Sequence, residues 1–128
     1  MTSKLLSMSV TETLAGLKKK EFSATELIKD HIAQMEACRG LNAMITETPE
    51  QALAQAAESD ARIAKNEMRE LEAIPMTMKD LFCTKGIRTT AGSHILENFI
   101  PPYESTVSQK LKDAGTITIG KANLDEFA

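Results

Sequence analysis

The sequence predicts an α/β fold in which N-terminal helices over residues 1–72 lead into a strand–helix–strand unit over residues 73–128. Three observations carry this. Ser9-Val10-Thr11-Glu12 and Ser23-Ala24-Thr25-Glu26 are capping boxes, each followed by an apolar stripe of helical period. Ile74, Met76 and Met78 alternate with Pro75 and Thr77, the period of a strand. Thr116-Ile117-Thr118-Ile119 is β-branched throughout and reads as a second strand, with a helical pattern between the two. Strand, helical crossover and strand form a βαβ unit, so the strands are expected to be parallel with a right-handed connection.

The elements follow in order. Met1 to Met8 carry little signal and are expected to be loosely held. A short helix with Val10, Leu14 and Leu17 on one side ends in Lys18-Lys19-Lys20, where cations complement the helix dipole. The second helix carries Leu27, Ile28, His31, Ile32 and Met35 on one stripe, which makes His31 a packed residue. Gly40 closes it, and Leu41 to Thr46 reads as extended. Thr48-Pro49 starts a third helix, with proline at its first position. Its Ala-rich run to Lys65 places Leu53, Ala56, Ala57 and Ile63 on an apolar side. Small residues there suit either a core helix or one clasped against a larger body. Asn66 to Glu72 reads as a charged connector.

Beyond the first strand, Ser93 opens a helical turn that Pro101-Pro102 breaks. A helix over Thr106–Ala114 has Val107, Lys110, Leu111 and Ala114 inward or half inward, with Gly115 in the C′ position. Asn123-Leu124-Asp125-Glu126 announces one more helix start. A sheet of two or three strands with helices on one side also leaves apolar faces in want of cover. Both features lead us to expect a piece of a longer fold.

Bulk properties exclude several classes. A charged fraction of 26%, a net charge of −3 and no long basic run do not support direct, strong nucleic-acid binding. Cys38 and Cys83 form no disulfide framework or metal-ligand spacing, and His31 and His94 stand apart from them, so no metal site is expected. No apolar run approaches a membrane span, and a reducing cytoplasm is the expected location.

Chemistry is most expected at Lys79 and Asp80, which the first strand delivers at its carboxyl end ahead of a loop containing Gly86. Ligands and catalytic groups collect at the carboxyl ends of strands in open α/β sheets. A lysine whose stem lies against apolar neighbours loses its proton more readily and becomes a base. The plainer reading is a solvated lysine with an aspartate in an exposed turn, and local pattern leaves both open. Gly120-Lys121 lacks the GxxxxGK[ST] frame and reads as a solvated lysine. Arg88, Thr89 and Thr90 are placed on the rim of the site.

The runs AIPMTMKDLFCTKGIRTTAGS, ILENFIPPYESTV and LKDAGTITIGKANLDEFA, in that order, closely resemble the amidase signature enzymes. Within that family the wording is most similar to the A subunits of the glutamyl-tRNA(Gln)/aspartyl-tRNA(Asn) amidotransferases. The resemblance implies that residues 73–128 form the start of the family's mixed α/β sheet, incomplete here. It also implies a Ser–cis-Ser–Lys triad with Lys79 as general base and later general acid, relaying a proton through a bridging serine to a nucleophilic serine. Both serines would belong to a Gly/Ser-rich segment following DEFA, and no such run occurs in this sequence. Ser93, Ser105 and Ser108 read as helix starts or helix faces instead. By the same resemblance, the whole subunit hydrolyses glutamine and passes ammonia to a B subunit, within a complex that also has a C subunit. There, with ATP and Mg, Glu-tRNA(Gln) or Asp-tRNA(Asn) is amidated on the B subunit; this chain would hold no cofactor and meet tRNA only through the complex. Another amidase signature hydrolase, or a non-catalytic truncated remnant, remain the alternatives. Ala73 departs from the glycine usual before Ile-Pro, a change of consequence only where φ is positive.

Overall fold

A computed structural model describes residues 3–128. Four α-helices, α1 (Val10–Lys19), α2 (Ala24–Ala37), α3 (Pro49–Ala64) and α4 (Thr106–Ala114), accompany three strands, β1 (Met44–Glu47), β2 (Pro75–Lys79) and β3 (Ile117–Ala122). The sheet order is β1-β3-β2. The βαβ expectation holds: β2 pairs with β3 in parallel, with α4 between them in sequence. The extended segment after α2 becomes β1, antiparallel to β3 on its other side. One irregularity lies between Met76 and Thr77, after which Met78 stands opposite Lys121 and Lys79 opposite Ala122.

Both capping boxes form as read. Ser9 and Ser23 each accept the N–H three residues on, and Glu12 and Glu26 each reach back to the cap N–H. Those hydrogen bonds from the cap backbone and serine hydroxyls hold both glutamates below the usual carboxylate range. The N-terminal segment is better held than expected. Met1 and Thr2 lie outside the described residues, but Lys4–Ser7 forms a 3-10 turn, Ser3 donates to Asp30, and Leu5 packs on the core.

The core joins Leu17, Leu27, Ile28, Ile32 and Met35 to Ala52, Ala56 and Ile63 of α3 and to Ile117 and Ile119 of β3. This resolves the two readings of the Ala-rich segment: α3 is a core helix within this chain. Its buried row is Ala52, Ala56, Ser59 and Ile63, and Ala57 faces outward. In α4 the buried position is Ser108, whose hydroxyl donates to the Cys83 carbonyl, while Val107 and Lys110 are exposed. Leu111 and Ala114 are half-buried, as expected.

The connector into β2 also differs from a plain charged loop. Glu72 is fully buried, bridged to Ser59 of α3 and to Arg69. The next residue, Ala73, has φ 62 and is fully buried, with its N–H donated to the Gly115 carbonyl. So the left-handed conformation that makes a glycine useful is present here, and an alanine occupies it. Gly115 faces it with φ 107, and a Cβ there would lie 2.9 Å from the Glu72 Cα, so this crossing tolerates no side chain.

Candidate functional site at the end of strand β2

Lys79 closes β2, and strand alternation sends it and its successor to opposite environments: Lys79 is exposed and Asp80 is fully buried. The Lys79 amine makes no hydrogen bond or ion pair among the described residues. The desolvated pocket expected for it is not formed by this chain's own residues. Asp80, by contrast, is tied through its backbone and through one carboxylate oxygen. Its N–H continues the sheet to the Ala122 carbonyl, its carbonyl accepts from Ala91, and its Oδ2 accepts from both the N–H and the hydroxyl of Thr90. The Thr90 hydroxyl in turn accepts from the Gly92 N–H.

The expectation of a solvated Lys121 is overturned. Lys121 is fully buried, and its three N–H bonds go to the Phe82 carbonyl at 2.9 Å, Thr84 Oγ1 at 3.0 Å and Thr89 Oγ1 at 2.8 Å. Asp80 Oδ1 lies 3.4 Å from the same ammonium and has no hydrogen-bond partner of its own. With its donors already used, Lys121 neutralises Asp80 through space. Burial pushes the Lys121 ammonium below the usual lysine range, and the Asp80 carboxylate opposes that loss. Asp80 is therefore not the exposed turn residue of the plainer reading. Parity along β3 does not reveal this, because the register skips Ile119: Ile117 stands opposite Pro75 but Lys121 opposite Met78, on the other face of β2.

The other predicted positions divide. Arg88 cross-links β1 to the loop, donating to Thr46 Oγ1 and to the Ile45 and Glu97 carbonyls. Arg88 and Thr90 line a cleft of about 230 Å³ with Ser93 that does not include Lys79, whereas Thr89 is buried against Lys121. The serines are occupied as their sequence context implied. Ser93 caps a 3-10 turn over His94–Leu96 and donates to Glu126, Ser105 caps α4, and Ser108 is buried beneath it. A cavity of about 430 Å³ between α2 and β1 touches none of Lys79, Asp80 or Lys121. Among the described residues, no group of three or more His, Cys, Asp or Glu side chains is gathered to hold a metal.

The segment after β3 packs back on this loop. Phe127 donates its N–H to the Ala91 carbonyl, and Gly92, at φ 67, lies so close to the Leu124 carbonyl that a Cβ would sit 2.9 Å from it. The helix announced at Asn123 is replaced by turns, with the Asn123 side chain accepting from Leu124.

Comparison with known proteins adds to this geometry. The sequence profile described as Amidase matches residues 26–128. The glutamyl-tRNA(Gln) amidotransferase A subunit from Caulobacter sp. (strain K31) is 55% identical over 126 residues, covering 98% of this chain and 26% of that relative. Its counterpart in Rickettsia bellii (strain OSU 85-389) is 55% identical over 121 residues, covering 94% and 24%. The chain thus spans about a quarter of the length of the curated relatives it matches, in their N-terminal part. Among solved structures, the native peptide amidase from Stenotrophomonas maltophilia superposes with a TM-score of 0.91 at 30% identity, over 98% of this chain and 26% of that one. A bacterial aryl acylamidase of the amidase signature family gives 0.86 at 27% identity, over 94% and 26%.

Proposed function

This chain belongs to the amidase family, and from that premise we propose that it is the N-terminal part of the glutaminase subunit of a tRNA-dependent amidotransferase, with Lys79 as the base of its triad. The observation that carries the reading is the position of Lys79. It ends a strand of a parallel pair, its amine is unpaired among the described residues, and its neighbour Asp80 is anchored in the interior. An unpaired lysine on an anchored strand end is open to enclosure by the rest of the subunit, and desolvation is what makes a lysine a base for activating a serine.

In this reading the two serines come from a Gly/Ser-rich segment that this sequence lacks, and they cover Lys79 when the subunit is whole. The bridging serine takes the proton from the nucleophilic serine and passes its own to Lys79. The nucleophile attacks the glutamine carboxamide, and Lys79 returns the proton to the departing ammonia. Ammonia then moves to the B subunit, which uses ATP and Mg to amidate the misacylated tRNA, and the C subunit completes the assembly in the cytoplasm. The identity of 55% to relatives of that name supports this choice.

The decisive experiment is ammonia release from glutamine by the full-length subunit in its complex, with Lys79→Ala alongside. Loss of release in the variant supports the reading, and unchanged release sinks it. A second reading, hydrolysis of a different amide, is favoured by the superposition on a peptide amidase. Turnover of peptide amides in the absence of any glutaminase activity would select it.

A further inference from the structure

We propose that Lys121 is a positioning residue for Lys79: its buried ammonium, through Asp80 and the loop it gathers, holds the end of β2 where Lys79 presents its amine. The inference rests on the reading of Lys79 as the base.

Within the described residues Lys79 has no side-chain partner, so its place depends on the backbone that carries it. Its backbone is held by the ladder to β3, by the Phe82 N–H donated to the Lys79 carbonyl and by the Ala91 N–H donated to the Asp80 carbonyl. Among the described residues β2 pairs with β3 on one side, and the pairing is irregular between Met76 and Thr77, shortly before Lys79. Beyond Lys79 the chain is irregular loop as far as the 3-10 turn at His94. Lys121 draws that loop together at three points, Phe82, Thr84 and Thr89, and faces Asp80 as a fourth. Asp80 adds Thr90 through its other oxygen. One ammonium therefore organises residues 80–90, and the residue directly attached to this knot is Lys79.

Stability alone does not call for this arrangement. A buried ion pair is often no more stabilising than apolar side chains of the same volume. A methionine at position 121 would fill similar buried volume opposite Met78. A lysine instead has three directional donors, and it specifies where each loop segment must lie.

The test uses the full-length subunit in its complex, with glutamine as the probe and ammonia release as the readout. Three variants are compared: Lys121→Met, Thr89→Val, which keeps the shape but removes one acceptor, and Lys79→Met. Melting temperature reports folding, and kcat is corrected for the folded fraction. We expect Lys121→Met to lower kcat by about tenfold or more, since small misplacement of a reacting group is costly. KM should stay within about twofold, because glutamine binding is not what the knot controls. Thr89→Val should show a smaller fall of the same kind with near-parent melting, so the question stays decidable if Lys121→Met fails to fold. Parent kcat in the folded fraction of Thr89→Val and of any folded Lys121→Met, or a loss expressed mainly in KM, would overturn the positioning role. Activity surviving in Lys79→Met would instead remove the base assignment, and the positioning role with it.

Discussion

The Ser59 hydroxyl on α3 lies 2.6 Å from Oε1 of Glu72, a fully buried carboxylate in the connector that feeds β2. Arg69 grips the same carboxylate through Nε at 2.8 Å and Nη2 at 2.7 Å, and its N–H adds a further bond. Burial raises the Glu72 pKa, but the hydrogen bonds from Arg69 and Ser59 outweigh it and hold the group below the usual carboxylate range. A carboxyl with a depressed native pKa contributes stability above its unfolded value of about 4.3 and loses it as pH falls through the native value. Glu72→Gln should therefore lower the stability of the chain at pH 7 by about 3 kcal/mol, the range for breaking a buried pair. Denaturant melts from pH 7 to pH 2 should show the gap between parent and variant closing below about pH 4. A gap that widens with acid would contradict the sign.

Lys121 and Asp80 should behave as one unit in stability as well. Lys121→Met leaves a buried carboxylate without its counter-charge and should cost about 3–5 kcal/mol. Asp80→Asn in the same background removes the orphan charge while keeping an acceptor for Thr90. The double variant should recover at least half of the loss, and a double-mutant cycle by urea denaturation measures it. Simple additivity would show that the two charges are not coupled.

Ala73 and Ala56 are both fully buried, yet glycine should affect them differently. At Ala56, inside α3, glycine loses about 1 kcal/mol of helix propensity and a buried methyl of about 0.8 kcal/mol. At Ala73 the relief of a left-handed conformation, about 1–2 kcal/mol, offsets the lost methyl and the added chain entropy. Ala56→Gly should therefore cost about 2 kcal/mol and Ala73→Gly about zero, read from the midpoints of chemical denaturation. Equal losses at the two sites would mean that Ala73 carries no strain.

The 128-residue chain alone should release no ammonia from glutamine, since removing the nucleophile of such a triad leaves only residual catalysis. A glutamate-coupled or direct ammonia assay checks this. Turnover that disappears in Lys79→Ala would mean that a serine within the chain serves as the nucleophile, against the hydrogen-bonded roles of Ser93, Ser105 and Ser108.

Much of the fold was legible because its signals are local. Ser9 and Ser23 sit three residues before a glutamate, Pro49 follows Thr48, and Gly115 closes α4, so helix ends could be read within a few residues. The parallel pairing of β2 with β3 followed from the helical pattern lying between the two strands. The motif wording around Lys79 was also readable, and the profile match over residues 26–128 agrees with the family it implied. What local pattern missed was the burial of charge. Lys121 was read as solvated and Glu72 only as part of a charged connector, because a charged residue has no local signature of the partners that will neutralise it.

By itself the sequence determined where helices and strands begin, which strands run in parallel, and that Lys79 would end one of them. Those outcomes depend on hydrogen bonds and side-chain periods spanning a few residues. Only the tertiary structure decided that Lys121 lies inside, with oxygens from residues 82, 84 and 89 around it. An ammonium can leave water only when several acceptors converge on it, and those acceptors meet only after the loop has folded back over β3.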